Sequence, residues 1–152
     1  MLSKEEAKQY RIDFWSHLAS QMEKMRNPHG SKVDWMNYNT GIKHLYFRME
    51  ADEDGARLCI DLQFPDPGIR ALYYEQFTEF KNLIEGFLKK IEWKETHEHW
   101  NGKTISRLVI ERKECHLFNK SDWDKMHLFL KLNFAKLDQF WCEYGEVFKN
   151  LK

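Results

Sequence analysis

Two turn signals constrain the fold of this chain most strongly, because each lies between two segments in which apolar and polar side chains alternate. The turns are Asp52-Glu-Asp-Gly55 and Asn101-Gly102. An acidic residue or Asn next to Gly favours the tight turn of a β-hairpin, since these residue types tolerate a positive φ. The pattern therefore predicts two hairpins. Their strands are expected over residues 43–50 and 56–64, and over residues 91–100 and 103–112.

Three longer segments repeat apolar residues at the spacing of one face of an α-helix. They are expected over residues 4–25, 66–87 and 121–150. Each segment begins with residue types that accept hydrogen bonds from the first free backbone N–H groups of a helix. These capping residues are Ser3 with Glu6, Asp66 before Pro67, and Ser121 with Asp124.

The order of elements is helix, hairpin, helix, hairpin, helix, and the chain length of 152 residues is that of one domain. A single hairpin is marginally stable in water, so the two hairpins should join into one sheet with the helices on its apolar face. We therefore predict an α+β fold in a single domain over residues 1–152. It has a mostly antiparallel four-stranded sheet packed by three main helices.

Charge and cysteine content indicate which ligands and which cellular compartment suit the protein. The 24 basic and 24 acidic residues balance, so the overall charge gives no support for nucleic-acid binding, although a local basic patch remains compatible with it. The three cysteines lie far apart without a Cys-x-x-Cys pair, which favours a reducing compartment. A charged N-terminus and the lack of an apolar run of about 20 residues predict a cytoplasmic protein without a membrane segment.

Several motifs, most of them aromatic, are spread along the chain. They are Phe14-Trp15, Trp35-x-x-Tyr38-x-Thr40-Gly41-Ile42, Tyr46-Phe47-Arg48, Trp93, Ser106-Arg107, Trp123 and Asp138-x-x-Trp141. Together they resemble a bacterial family, the domain of unknown function DUF4268. The resemblance extends from about Phe14 to Phe148 and implies a bacterial source, but it implies no activity because the family has no assigned chemistry.

The polar face of the predicted sheet is the leading candidate for a functional surface. Arginine beside tyrosine suits a phosphate, a carboxylate or a stacked base, and Tyr46 is expected to stack. A solvated face with ion pairs between strands is the open alternative. The residues expected on this face are Tyr46, Arg48, Arg57, Asp61 and Gln63 from the first hairpin and Arg107 from the second.

A second candidate element is the aromatic turn that precedes the first strand. Trp35 and Tyr38 stand before Gly41, and loops on rigid scaffolds often carry binding sites. The alternative is that both aromatic side chains close one end of the core. We include Trp35 and Tyr38 in the predicted ligand-binding surface, and we expect a nucleic acid or a small anion as its ligand.

Two further classes of function stay open. Asp61-x-Gln63 at the end of an apolar strand is similar to the Asp/Glu-x-Lys of restriction-type nucleases, with Gln in place of Lys, so the chain could be a degenerate or active metal-dependent nuclease. Alternatively, aromatic residues outside the main helical stripes could serve a homodimer or another partner. We assign no catalytic residue, metal or cofactor, since no nucleophile, zinc or phosphate-loop motif is found.

Overall fold

The computed structural model describes residues 2–151, over which the chain forms four α-helices, a short 3₁₀ turn and one sheet. This order confirms the predicted α+β fold. In chain order, the elements are α1 (Lys4–Met22), β1 (Leu45–Asp52), β2 (Gly55–Leu62), α2 (Pro67–Glu79), α3 (Lys81–Phe87), β3 (Glu92–Glu98), β4 (Thr104–Lys113), the 3₁₀ turn (Lys120–Asp122) and α4 (Trp123–Lys149).

The sheet joins the two predicted hairpins through their inner strands, in the order β1-β2-β4-β3. Every neighbouring pair is antiparallel. The pairing places Asp61 opposite Tyr46 on one side and opposite Arg107 on the other. The observed strand limits differ from the predicted ones by up to two residues, because backbone hydrogen bonding rather than side-chain alternation decides where a strand ends.

The helices cover the apolar face of the sheet. Trp141 of α4 packs edge-on against Phe47 of β1, with the ring centroids 5.2 Å apart. On the other side of α4, Phe14 of α1 packs against Trp123 at 5.5 Å. Since α4 is covered on two sides, it needs aromatic residues beyond a single stripe, and Phe140 is fully buried.

Other aromatic residues outside the stripes behave in the same way, with one exception. They are partly buried and pack against the core, which favours internal packing as their role. The exception is Trp100, of which 86% is exposed. The partly buried residues are Trp15, Phe118 and Phe129.

Two predicted helices have different limits in the structure. The prediction of one second helix is wrong, because the backbone leaves the helical region at Phe80 (φ −96°, ψ 12°) and divides the segment into α2 and α3. The ring of Phe80 packs against Phe140 and Phe148, so the residue at the break places its side chain against the core. The first helix ends at Met22 instead of residue 25.

The predicted capping pair Ser121–Asp124 is also wrong. Ser121 lies in the 3₁₀ turn, and Asn119 caps that turn by accepting hydrogen bonds from the backbone N–H and the hydroxyl of Ser121. The capping pairs at the other two helices are present, with Ser3 and Glu6 bonded reciprocally in front of α1. Over residues 2–151, no helix has the length and apolar character needed to cross a membrane.

Candidate functional site

The polar face of the sheet is built around a buried ion pair between its two central strands. Arg107 and Asp61 face each other in the β2–β4 register, so the guanidinium meets the carboxylate with two parallel hydrogen bonds. The Nε–Oδ1 distance is 2.7 Å and the Nη2–Oδ2 distance is 2.9 Å. Both side chains are almost completely buried. The pair therefore forms the fixed floor of this face.

Glu50 of β1 extends this pair into a network. Its carboxylate accepts hydrogen bonds from Arg57 at 2.9 Å and from Arg107 at 3.2 Å. Burial raises the pKa of Glu50, but the hydrogen bonds and charges of the two arginines outweigh burial and hold this pKa below its usual value. Arg57 also forms ion pairs with Asp52 and Glu111. Carboxylates of the chain itself thus hold two of the three arginines predicted to meet a ligand.

Arg48 is the third of these arginines, and it stands apart from the network. It is exposed on β1, and its guanidinium carbon lies 4.4 Å from the centre of the Tyr46 ring. Among the residues that the structure describes, no carboxylate lies within ion-pair distance of Arg48. Its charge is therefore available to a ligand, and the ring of Tyr46 holds it in place.

The β3–β4 hairpin adds a wall to this face. The residues of its tip line a cleft of about 390 Å³ together with residues of β1 and β2. Since β1 and β3 are at opposite edges of the sheet, the tip has to reach across the polar face to share a cleft with Arg48. The lining residues are Arg48, Met49, Glu50, Asp61 and Gln63 from the first hairpin, and His99, Trp100 and Asn101 from the tip.

A second cleft of about 560 Å³ continues the first one past the end of β2. Gln63 and Asn101 line both clefts, so the two are neighbours, and we call them together the sheet groove. The second cleft adds several polar residues and an aromatic wall. Its further lining residues are His44, Phe64, Pro65, Pro67, Arg70, Lys103, Thr104 and Ile105.

The negative charges that line the sheet groove are paired with an arginine, whereas its positive charges are not. Its two carboxylates, Glu50 and Asp61, are both bonded to Arg107 beneath the surface. Arg48 and Lys103 form no ion pair within residues 2–151. Arg70 donates to the carbonyl oxygen of Phe64 at 3.0 Å and keeps its positive charge. The groove therefore offers uncompensated positive charge although the chain as a whole is neutral.

Comparison with known proteins assigns this architecture to a family. The sequence profile of a domain of unknown function, DUF4268, matches residues 10–145 of the 152-residue chain. The chain belongs to the DUF4268 family. All residues that line the sheet groove lie inside the matched range. No curated protein and no solved structure matches the chain.

The two aromatic residues of the predicted turn lie elsewhere in this DUF4268 domain. Trp35 is 3% exposed and packs against Phe134 of α4. Tyr38 stacks on Phe47 and donates a hydrogen bond of 2.5 Å to Asp138. Burial, followed by this hydrogen bond and the charge of Asp138, raises the pKa of Tyr38. Both side chains thus lie on the apolar side of the sheet, away from the sheet groove.

The geometry around Asp61 bears on the nuclease alternative. Both carboxylate oxygens of Asp61 accept hydrogen bonds from Arg107, so a divalent cation would have to displace a buried guanidinium. Within residues 2–151, no group of three or more His, Cys, Asp or Glu side chains is placed to hold a metal ion. The carboxylate of Asp61 is thus bound by an arginine of the chain itself.

Two of the three thiols are unsuited to nucleophilic chemistry. Cys59 lies buried on the polar face beneath the arginines, and burial raises its pKa. Burial, with the charge of Asp138, raises the pKa of Cys142 to about 11. A thiolate nucleophile is therefore disfavoured at both positions.

Sequence reasoning missed the residues that the β3–β4 hairpin and the loop after β2 bring to this DUF4268 site. Trp100 carries the clearest local signal, since it is a large aromatic residue directly before the Asn101-Gly102 turn, where side chains are usually exposed. The contribution of Arg70 and Lys103 depends on the strand order, and neither turn residues nor alternation specify that order.

Proposed function

We propose that this DUF4268 domain is a non-enzymatic recognition module that binds an anionic ligand, a nucleic acid or a small anion, in the sheet groove. The observation that carries the proposal is the position of Arg48, an exposed arginine held over Tyr46 with no carboxylate partner within residues 2–151. A guanidinium placed in this way is suited to bind phosphate or carboxylate oxygens with charge-assisted hydrogen bonds.

The ion-pair network supports binding rather than catalysis. Arg107 pairs with both carboxylates that line the groove, Glu50 and Asp61, which weakens their repulsion of an anion placed above them. Arg57 and Arg107 also hold the pKa of Glu50 below its usual value, which makes this carboxylate a weak general base. The network fills the floor of the groove, while Arg48, outside the network, keeps its charge for a ligand and packs over the ring of Tyr46.

The test measures binding of anions to the wild-type protein and to Arg48→Ala. Fluorescence anisotropy follows labelled single-stranded and double-stranded oligonucleotides at low and moderate salt, and calorimetry follows nucleoside triphosphate and inorganic pyrophosphate. We expect at least one of these ligands to bind, and Arg48→Ala to weaken that binding by about tenfold or more, since hydrogen bonds to a charged group are lost.

A matched control removes an arginine from the opposite side of the molecule. Arg11 is exposed on α1, which packs behind α4 on the apolar side of the sheet. Arg11→Ala lowers the net charge by the same amount as Arg48→Ala and should leave binding unchanged. The proposal is wrong if no ligand of the panel binds at tens of micromolar, or if both variants weaken binding equally.

A second candidate function, self-association, is favoured by one exposed apolar pair. Leu128 and Leu132 lie one turn apart on α4 and are 58% and 52% exposed. We propose that two copies of the chain could associate through this face in a homodimer. Light scattering of the wild-type protein at high concentration should then give a dimer mass, and Leu128→Lys/Leu132→Lys should give a monomer mass. A monomer mass for the wild type would exclude this candidate.

A further inference from the structure

We infer that the ligand of the sheet groove is single-stranded nucleic acid, with a base stacked on Trp100 and the phosphates bound along the cations of the groove. This inference rests on the proposed function, because it names the class of anion that the groove takes. It starts from Trp100 at the tip of the β3–β4 hairpin, which does not pack against the core in the part of the chain that the structure describes.

Trp100 is 86% exposed, whereas the other tryptophans are buried or pack against the core. A tryptophan side chain carries a large apolar area, and leaving it in water forgoes the stabilisation that burial would give. Its position on the wall of a groove with uncompensated positive charge suggests that a flat, apolar partner covers it when a ligand binds. A nucleobase attached to a phosphate backbone combines this flat surface with negative charge.

The hairpin tip is held in shape before any ligand arrives. The backbone N–H of His99 donates to the carbonyl oxygen of Lys103 at 2.8 Å, and that of Gly102 donates to His99 at 2.9 Å. The side chain of Asn101 accepts from the N–H of Lys103 at 3.0 Å. A stacking surface on an ordered loop costs less conformational entropy on binding than one on a mobile loop.

The cations of the sheet groove are spread along its length instead of gathered around one point. Arg48 lines the first cleft from β1. Lys103 and Arg70 line the far part of the groove. A single phosphate would use only one end of such an arrangement, whereas a short chain of nucleotides can contact both ends.

Single-stranded nucleic acid fits these features better than a duplex. In a duplex, the bases are stacked on one another and their faces are not accessible to Trp100. In a single strand, the bases can turn outward and stack on aromatic side chains. Tyr46, already in contact with Arg48, provides a second aromatic ring on the same face.

The experiment compares three labelled probes of equal charge by fluorescence anisotropy: an oligo-dT strand, an abasic strand of the same length, and a blunt duplex with the same number of phosphates. We expect the oligo-dT strand to bind most tightly. Trp100→Ala should weaken its binding roughly 5- to 140-fold, the value of one stacked base, and bring it close to that of the abasic strand. Trp100→Phe should retain most of the affinity.

Further variants separate stacking from charge and from loss of an apolar side chain. Lys103→Ala should lower the slope of log affinity against log salt by about 0.7, as expected for one phosphate contact on a single strand. Leu83→Ala, which removes an exposed apolar side chain from α3, should change nothing. Circular dichroism of each variant checks that the fold is retained.

The outcomes distinguish this inference from the proposed function. If oligo-dT and the abasic strand bind equally and Trp100→Ala has no effect while Arg48→Ala does, the groove is a general anion site and the inference is wrong. Preferential binding of the duplex would also overturn it. If none of the probes, nucleoside triphosphate or pyrophosphate binds, the proposed function itself fails.

Discussion

The buried pair of Arg107 and Asp61 has opposite consequences for single and double substitutions. Arg107→Met leaves the carboxylate of Asp61, which is 1% exposed, without a counter-charge. We expect this variant to lose about 3–5 kcal/mol in free energy of unfolding, measured with urea. The double variant Arg107→Met/Asp61→Leu removes both charges and should recover most of the loss. A double variant as unstable as the single one would contradict this account.

His127 makes stability depend on pH through its neutral form. It lies buried between α1 and α4, with Nε2 3.1 Å from the carbonyl oxygen of Phe14 and Nδ1 3.3 Å from the amide nitrogen of Gln21. Burial lowers the pKa of His127, and the charges of His17 and Lys131 lower it further, whereas the bond to Phe14 offsets only part. Below the usual histidine pKa of about 6.5, the unfolded chain therefore binds more protons than the folded one.

The free energy of unfolding should consequently fall as the pH decreases below about 6.5. Denaturation with urea between pH 7.5 and pH 5.5 measures this slope. His127→Gln should reduce the slope, and His29→Gln, which changes an exposed histidine, should not. Equal slopes in all three proteins would mean that protonation of His127 does not contribute.

The sequence predicted correctly which face of the sheet a residue lies on, because strand geometry determines it. It did not predict which side chains form ion pairs, because their partners lie on distant strands. Alternation placed Tyr46, Arg48, Arg57 and Asp61 on one face, as the register confirms. Alternation carries no information on ion pairing between distant strands. It therefore could not distinguish Arg107, bonded across the β2–β4 pair, from Arg48, which has no such partner within residues 2–151.

Gly55 of the first hairpin has no room for a side chain, whereas Gly102 of the second hairpin does. Both glycines have positive φ, +145° and +82°. A Cβ atom at position 55 would lie 2.2 Å from the backbone oxygen of Arg112 on β4, whereas one at position 102 would meet no atom within 4 Å. Substitution at position 55 thus requires the central strand pair to move, while substitution at position 102 introduces only backbone strain.

We expect Gly55→Ala to lower the free energy of unfolding by more than the roughly 1–3 kcal/mol attributable to backbone strain, and Gly102→Ala to remain within that range. Thermal unfolding followed by circular dichroism compares the two variants. Equal losses would show that the close approach to Arg112 is relieved without cost.

The helices were predicted less well than the hairpins, for a physical reason visible at Phe80. No Gly or Pro interrupts the sequence around this residue, so periodicity predicts one continuous helix. The break instead follows from tertiary packing, since the Phe80 ring contacts Phe140 and Phe148 of α4. These contacts depend on α4, the last helix of the chain, and cannot be read from the sequence around Phe80.

The core extends through all the layers of the molecule, which predicts a single unfolding transition. It includes Phe14 of α1, Leu58 of β2, Phe77 of α2 and Phe134 of α4 in one contiguous cluster. We expect transitions monitored by tryptophan fluorescence and by far-ultraviolet circular dichroism to coincide in urea. Two separated midpoints would indicate that α1 or the second hairpin unfolds independently, and the interpretation as one domain would be wrong.

The shape of the sheet groove could not have been predicted from the sequence, although most of its residues lie at recognisable turns or strand ends. The groove exists because the tip at Trp100 reaches across the polar face from the far edge of the sheet. That crossing requires the order β1-β2-β4-β3 and the length of β4, and both are properties of the assembled sheet.

The strand order also leaves β1 at an edge of the sheet, with one row of its backbone N–H and C=O groups directed away from β2. Such an edge can template the addition of a strand from another molecule, and charged side chains oppose this. Arg48 and Glu50 supply such charges in the middle of β1. Selection for solubility and selection for ligand binding would therefore act on the same arginine, and Arg48→Ala is expected to aggregate more readily than Arg11→Ala.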